Sequence, residues 1–237
     1  MQARKALTAV CAAAFSLIYS APSHANLITN GSFEEPFLTT QSISQYAGGD
    51  SFSGWSISGI NSVVISNNIG TAYTSAAYWP RAQDGTQYLY LNTWGNNNTA
   101  ATQSIGLDGG TTYHLSFYLN GLINGLGSSF DYSPSVMVGI TGPSQAPLTT
   151  TTAFGTNNRT WTKIDFDFFV AAQGNYDLRF ATPGIPLLPA GQPYNFITLD
   201  HVELTALAAP VPEPETYTMV LAGLGLIGSF ARRRKQP

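Results

Sequence analysis

Few side chains in this 237-residue sequence are equipped for chemistry, and their spacing narrows it further. Beyond the N-terminal segment only two histidines remain, His114 and His201, and no cysteine does, since the single one is Cys11. Neither histidine sits in an H-E-x-x-H, and there is no G-x-S-x-G serine elbow. His201 follows Asp200, so on a strand their side chains point to opposite faces and do not pair directly. His114, between Tyr113 and Leu115, reads as a surface or edge residue. Asp165 and Asp167 share one strand face, roughly 7 Å apart. That separation would suit glycoside hydrolysis, but alternating polar residues on an open face are far commoner, so an enzyme is not expected. Aromatic rings beside amides offer another chemistry, because a flat ring stacks on the apolar face of a pyranose while polar groups satisfy its hydroxyls. Trp79 and Arg81, in Tyr78-Trp79-Pro80-Arg81, and Trp94, with Asn96 to Asn98, stand in such loop-like contexts. Trp55 and Trp161, on strand-like segments, read as core. The run Thr149 to Thr152 lacks the repeated spacing of an ice-binding face and reads as a loop.

The elements that must position these residues are strands. Ten Lys+Arg and thirteen Asp+Glu make the chain poor in charge, while Ser, Thr and Asn number 61 and Gly 23. Such a composition lacks exposed-helix formers and is rich in strand and turn residues. In Trp161 to Phe168, Ile164, Phe166 and Phe168 fall on one face and Lys163, Asp165 and Asp167 on the other, a period of two. Leu115, Phe117 and Leu119 alternate in the same way. Further strands are expected at 56–58, 63–66, 87–92, 136–141, 176–181 and 197–204, separated by turn signals such as Asp84-Gly85 and Asp108-Gly109-Gly110. Strands at this spacing predict an all-β antiparallel sandwich. Between residues 26 and 209 four basic residues face eleven acids, a balance of −7 that argues against nucleic acid as a partner.

The two ends read as addresses. Arg4-Lys5, the apolar run Ala6 to Tyr19 and Ser23-His24-Ala25 have the order of a signal peptide over 1–25. Pro212-Glu213-Pro214 is followed by an apolar stretch from Tyr217 to Ala231 and then Arg232, Arg233 and Arg234. A run of that length would form a short transmembrane helix of about 22 Å, with its basic cluster left cytoplasmic. This order resembles the PEP-CTERM sorting tail of Gram-negative bacteria, over roughly 210–235 of a 210–237 tail. The resemblance implies an exosortase as processing partner, transient inner-membrane anchoring, and a cell-surface or extracellular-matrix destination. A permanent single-span anchor is the alternative.

The middle of the chain has a resemblance of its own. Asn26-Leu27-Ile28-Thr29-Asn30-Gly31-Ser32-Phe33-Glu34 looks like the opening strand of galactose-binding-like jelly rolls, and Trp55 sits where those domains carry a "GW" element. Gln103-Ser104-Ile105 through Gly110, then Tyr113 to Phe117, resembles their hairpin. Asp200-His201-Val202 resembles their closing strand. These pieces span 26–209 in family order and imply a jelly-roll domain akin to carbohydrate-binding modules and DUF642-type proteins. In such modules the first and last strands often meet at a structural Ca2+, which by this resemblance would be held by Glu34 and Asp200. The expectation is an exported, non-catalytic domain that binds polysaccharide; a matrix protein without a discrete ligand and a hydrolase stand as alternatives.

Overall fold

The computed structural model describes residues 25–39, 43–59, 63–67, 80–91, 99–121, 135–144, 146–156, 160–182, 197–207, 221, 223 and 224. The signal segment up to residue 24, Pro212-Glu213-Pro214 and Arg232 to Arg234 lie outside them. Of the tail, Leu221, Gly223 and Leu224 are described, and they are helical. Among the described residues no helix is long and apolar enough to cross a membrane.

Twelve strands run in chain order: β1 Ile43–Tyr46, β2 Ser51–Phe52, β3 Trp55–Ser58, β4 Val63–Asn67, β5 Gln87–Leu91, β6 Ala100–Leu107, β7 Thr111–Gly121, β8 Ser135–Thr141, β9 Pro147–Phe154, β10 Thr162–Val170, β11 Gly174–Ala181 and β12 Ile197–Ala206. They form two six-stranded antiparallel sheets. The first has the order β1-β4-β5-β12-β7-β10, the second β2-β3-β6-β11-β8-β9. This is the expected jelly-roll sandwich. Its core lies between the sheets, where the alternating apolar residues of facing strands meet. Leu89, Leu115, Phe117, Leu199 and Leu204 enter from the first sheet; Trp55, Ile57, Leu178 and Phe180 enter from the second. Phe117 and Phe180 meet edge to face across the gap at 5.0 Å, and Trp55 bridges Phe180 and Phe33 at 6.1 and 5.5 Å. Each of these fully buried rings contributes about 1.5–3 kcal/mol relative to exposure.

Three local readings are corrected by the fold. Asn26 to Glu34 is not a strand, because Asn30 and Phe33 have φ of 52° and 57°, which extended pairing does not allow. It is an irregular segment laid along β12, where Leu27 N donates to Leu204 O and Val202 N to Gly31 O. Side-chain amides hold it in place. Gln103 receives Thr29 N and donates to Thr29 O, at 2.8 and 2.9 Å, and Gln87 donates to Phe33 O and Pro36 O. Secondly, β6 and β7 are not a hairpin. β6 pairs with β3 and β11, while β7 pairs with β12 and β10, so the Asp108-Gly109-Gly110 turn carries the chain from one sheet to the other. Gly109 sits against the 171–173 backbone, where a Cβ would lie 2.7 Å from Gln173 N. Thirdly, Thr149 to Thr152 lie within β9, paired to β8, with Thr149 and Thr151 half-buried. β-branched side chains suit a pleated edge.

Candidate functional site

The outer face of the first sheet carries the polar and aromatic residues that the core excludes. Leu89, Leu119 and Leu199 point inward, so their neighbours Tyr90, Asn120 and Thr198 point outward. Register sets these three side by side on β5, β7 and β12, with Thr198 opposite both Tyr90 and Asn120. Outward residues of a sandwich usually meet water, yet Tyr88, Asn120, Thr198 and Asp200 are fully buried and Tyr90 nearly so. Burial, with Tyr88 beside it, pushes the Tyr90 phenol far up, so the phenol stays neutral. The Thr198 hydroxyl donates to the Asn120 backbone carbonyl at 3.0 Å. The Asn120 side-chain amide has neither its nitrogen nor its oxygen paired among the described residues.

Trp161 reaches this face at Tyr88. It precedes β10 at the sheet edge, yet its ring meets Tyr88 on β5 edge to face at 6.0 Å, with β7 and β12 lying between those strands. Its indole N–H donates to the Arg81 backbone carbonyl at 2.8 Å. Trp161 is therefore half-buried on the outer face and is not the core residue its strand-like setting implies. Arg81, one of the three expected ligand residues, meets Trp161 through its backbone carbonyl. The other two, Trp79 and Trp94, lie outside the described residues.

The predicted carboxylate pair, Glu34 and Asp200, does converge, on the turn that leads into β5. Asp200 Oδ2 accepts from the Gln83 and Asp84 amides, at 2.6 and 3.0 Å, and Oδ1 accepts from His201 N. Glu34 Oε1 accepts from the Thr86 and Gln87 amides, both at 2.7 Å, and Oε2 from the Thr86 hydroxyl. Gly85, at φ 64°, lies between them against the Glu34 carboxylate, which leaves no room for a Cβ. Burial pushes the Asp200 carboxyl up to about 7, opposed by its three backbone donors and aided by the charge of Asp84. The donors are the hard oxygens that calcium takes, and one acceptor position remains on Glu34 Oε2 and one on Asp200 Oδ1. Among the described residues no group of three or more His, Asp or Glu side chains is placed to hold a metal. An ion here would therefore draw mainly on backbone carbonyls and water.

His114 stands on the outward, surface face that strand alternation gives it, and His201 does not follow alternation. His201 has φ of 50° at a register shift in β12, and that bulge turns its ring onto the same outer face as Asp200. There it packs on Tyr118 at 5.8 Å and pairs with Asp84 at 3.1 Å and Glu203 at 3.3 Å. It still makes no side-chain pair with Asp200. His114 bonds Asp167 directly across β7 and β10 at 2.6 Å, so the Asp165/Asp167 pair is half engaged in a surface contact. The residues that sequence reasoning missed are Tyr88, Tyr90, Asn120 and Thr198. Their signal was present in Gln87 to Leu91, where two tyrosines alternate with two leucines.

A family model described as HpiC1 cyclase matches residues 24–180, well over half the chain. The chain belongs to the HpiC1-like family. The match stops within β11, before β12 and Asp200. A second model, the PEP-CTERM protein-sorting motif, matches 210–235, so the chain carries the expected sorting tail, which implies exosortase processing, export and a surface or matrix destination. No curated protein matches the chain. Among solved structures it is similar to a cyclase from Fischerella sp. TAU in complex with 4-(1H-indol-3-yl)butan-2-one: 16% identity, TM-score 0.53, with 79% of this chain and 100% of that one covered. It is likewise similar to the carbohydrate-binding module TmCBM61 in complex with β-1,4-galactotriose: 14% identity, TM-score 0.51, with 77% and 99% covered. The HpiC1-like fold is thus shared by a cyclase and by a sugar-binding module.

Proposed function

We propose that the protein is a non-catalytic carbohydrate-binding component of the cell surface or matrix, and that polysaccharide binds on the outer face of the first sheet. The observation that carries this reading is the Trp161 ring on the same outer face as the buried Asn120 amide, unpaired among the described residues: a stacking surface together with an unspent hydrogen-bonding group, the pairing sugars require. The sorting tail supports the setting, and the likeness to TmCBM61 is consistent with it. Arg81, whose backbone carbonyl holds Trp161, is carried as a further contact, as are Trp79 and Trp94. A structural calcium at Glu34 and Asp200 would stiffen the turn beneath Arg81. Anchoring of the tail in the inner membrane precedes its removal.

The test is titration of the full chain with a polysaccharide panel, in calcium and again in EDTA, beside Trp161→Ala. Saturable binding to one glycan class, weakened about tenfold or more by Trp161→Ala, is expected. A raised melting temperature in calcium would support the ion. Absence of binding to every glycan in both conditions would sink the proposal.

The family match favours a second reading, conversion of a small aromatic molecule in the same face. Saturable quenching of Trp161 fluorescence by 4-(1H-indol-3-yl)butan-2-one, with no response to glycans, would favour it over the first.

A further inference from the structure

We propose that Asn120 is the recognition group of the outer-face site, its amide reading two adjacent hydroxyls of a pyranose, one as acceptor and one as donor. This deepens the carbohydrate reading and rests on it. Asn120 is fully buried on an outward position of β7, and its Nδ2 and Oδ1 have no partner among the described residues. Buried amides are almost always paired, so one with both ends open marks a place where another molecule completes the bonding. The neighbours do not complete it. Thr198 is in register with Asn120, but its hydroxyl is spent on the backbone carbonyl of that residue.

The geometry also selects the ligand. An amide presents a donor and an acceptor side by side. A phosphate or carboxylate would satisfy the nitrogen and set a negative oxygen against Oδ1, and the surplus of seven acids between 26 and 209 opposes such anions further. A hydrocarbon would leave both atoms unpaired. Neighbouring ring hydroxyls, each able to donate and to accept, satisfy both, while the half-buried Trp161 ring on the same face offers the flat apolar surface that the same sugar ring needs.

The same feature supplies a test with two independent readouts. An unpaired buried amide weakens a fold, and an apolar residue of similar size relieves it. Asn120→Leu in the full chain should therefore melt at or above the wild-type temperature while its affinity for the glycan found by the panel falls about tenfold or more. With monodeoxy analogues of the bound pyranoside, wild type should lose about tenfold for removal of either recognised hydroxyl, and Asn120→Leu should show no further loss. Asn120→Thr, which keeps a strand-forming residue, serves if the leucine variant does not fold. Unchanged affinity in a folded Asn120 variant, or a deoxy penalty that persists in it, overturns the proposal, and if Trp161→Ala still abolishes binding the carbohydrate reading survives. A wild type that binds no glycan overturns both.

Discussion

At the scale of single residues, the chain concentrates its unusual electrostatics in one carboxyl. Asp200 is buried beside Asp84 and its folded-state value is pushed up from 3.8 to about 7. Below pH 4 both folded and unfolded forms are protonated. Between 4 and 7 the unfolded chain gives up this proton while the folded one keeps it, so stability should fall as pH rises, by at most about 1.4 kcal/mol per pH unit. Above 7 both forms are ionised and the contribution is flat. Thermal melts in EDTA should show this falling slope in wild type and a shallower one in Asp200→Asn. Parallel profiles would mean that the carboxyl is solvated in solution. Trp161 is the other decisive residue: one indole ties the entry of β10 to the Arg81 carbonyl and meets Tyr88 on β5.

At the scale of elements, the sandwich is closed by an irregular segment held by amides in place of charges. Asn26 donates to Val202 O and accepts from Leu204 N, Gln103 clamps Thr29, and Gln87 gathers Phe33, Pro36 and Leu38. This is how a chain with only 10% charged residues satisfies its buried backbone. Within this segment the missing side chain of Gly31 lets Val202 O lie against it. Gly31→Ala should push the segment off β12 and cost roughly 1–3 kcal/mol, a drop of several degrees in the melting temperature. A wild-type melt for this variant would show that the segment contributes little to the fold. The Asp84-Gly85 turn works alongside it, because Glu34 from the irregular segment and Asp200 from β12 grip its two halves and set the direction in which β5 presents its tyrosines.

At the scale of the whole molecule, address and cargo are separable. The sorting motif lies at 210–235, beyond β12, which ends at Ala206. Deleting 210–237 should leave the melting temperature within a degree or two and shift the protein into a soluble periplasmic or secreted pool. Fractionation that still finds the deleted form with membranes would refute the anchoring role of the tail. Much of this level is legible in sequence, because it depends on linear order: a Pro-Glu-Pro, an apolar run and an arginine cluster have their meaning wherever the domain folds. The all-β class is legible for a similar reason, since period-two alternation is a property of neighbouring residues and survives in β7 and β10. The resemblance of the first and last segments to jelly rolls named Glu34 and Asp200 together as calcium ligands, whereas the turn that both carboxylates grip is a finding of the structure.

What the sequence alone determined is therefore whatever local pattern decides: the strands, the turns at Asp84-Gly85 and Asp108 to Gly110, and the tail. What only the tertiary structure decided is which face of each strand is covered. Alternation places Tyr90, Asn120 and Thr198 opposite the core but does not say that they are buried there, because burial on the outer face depends on chain segments distant in sequence. In the same way a single left-handed residue, His201, moves a side chain to the other face and shifts the inward positions of β12 from Ile197 and Leu199 to Val202 and Leu204. Trp161 could not be read correctly for that reason: its neighbours spell a core strand, and its place is set by Tyr88 and Arg81, 73 and 80 positions away.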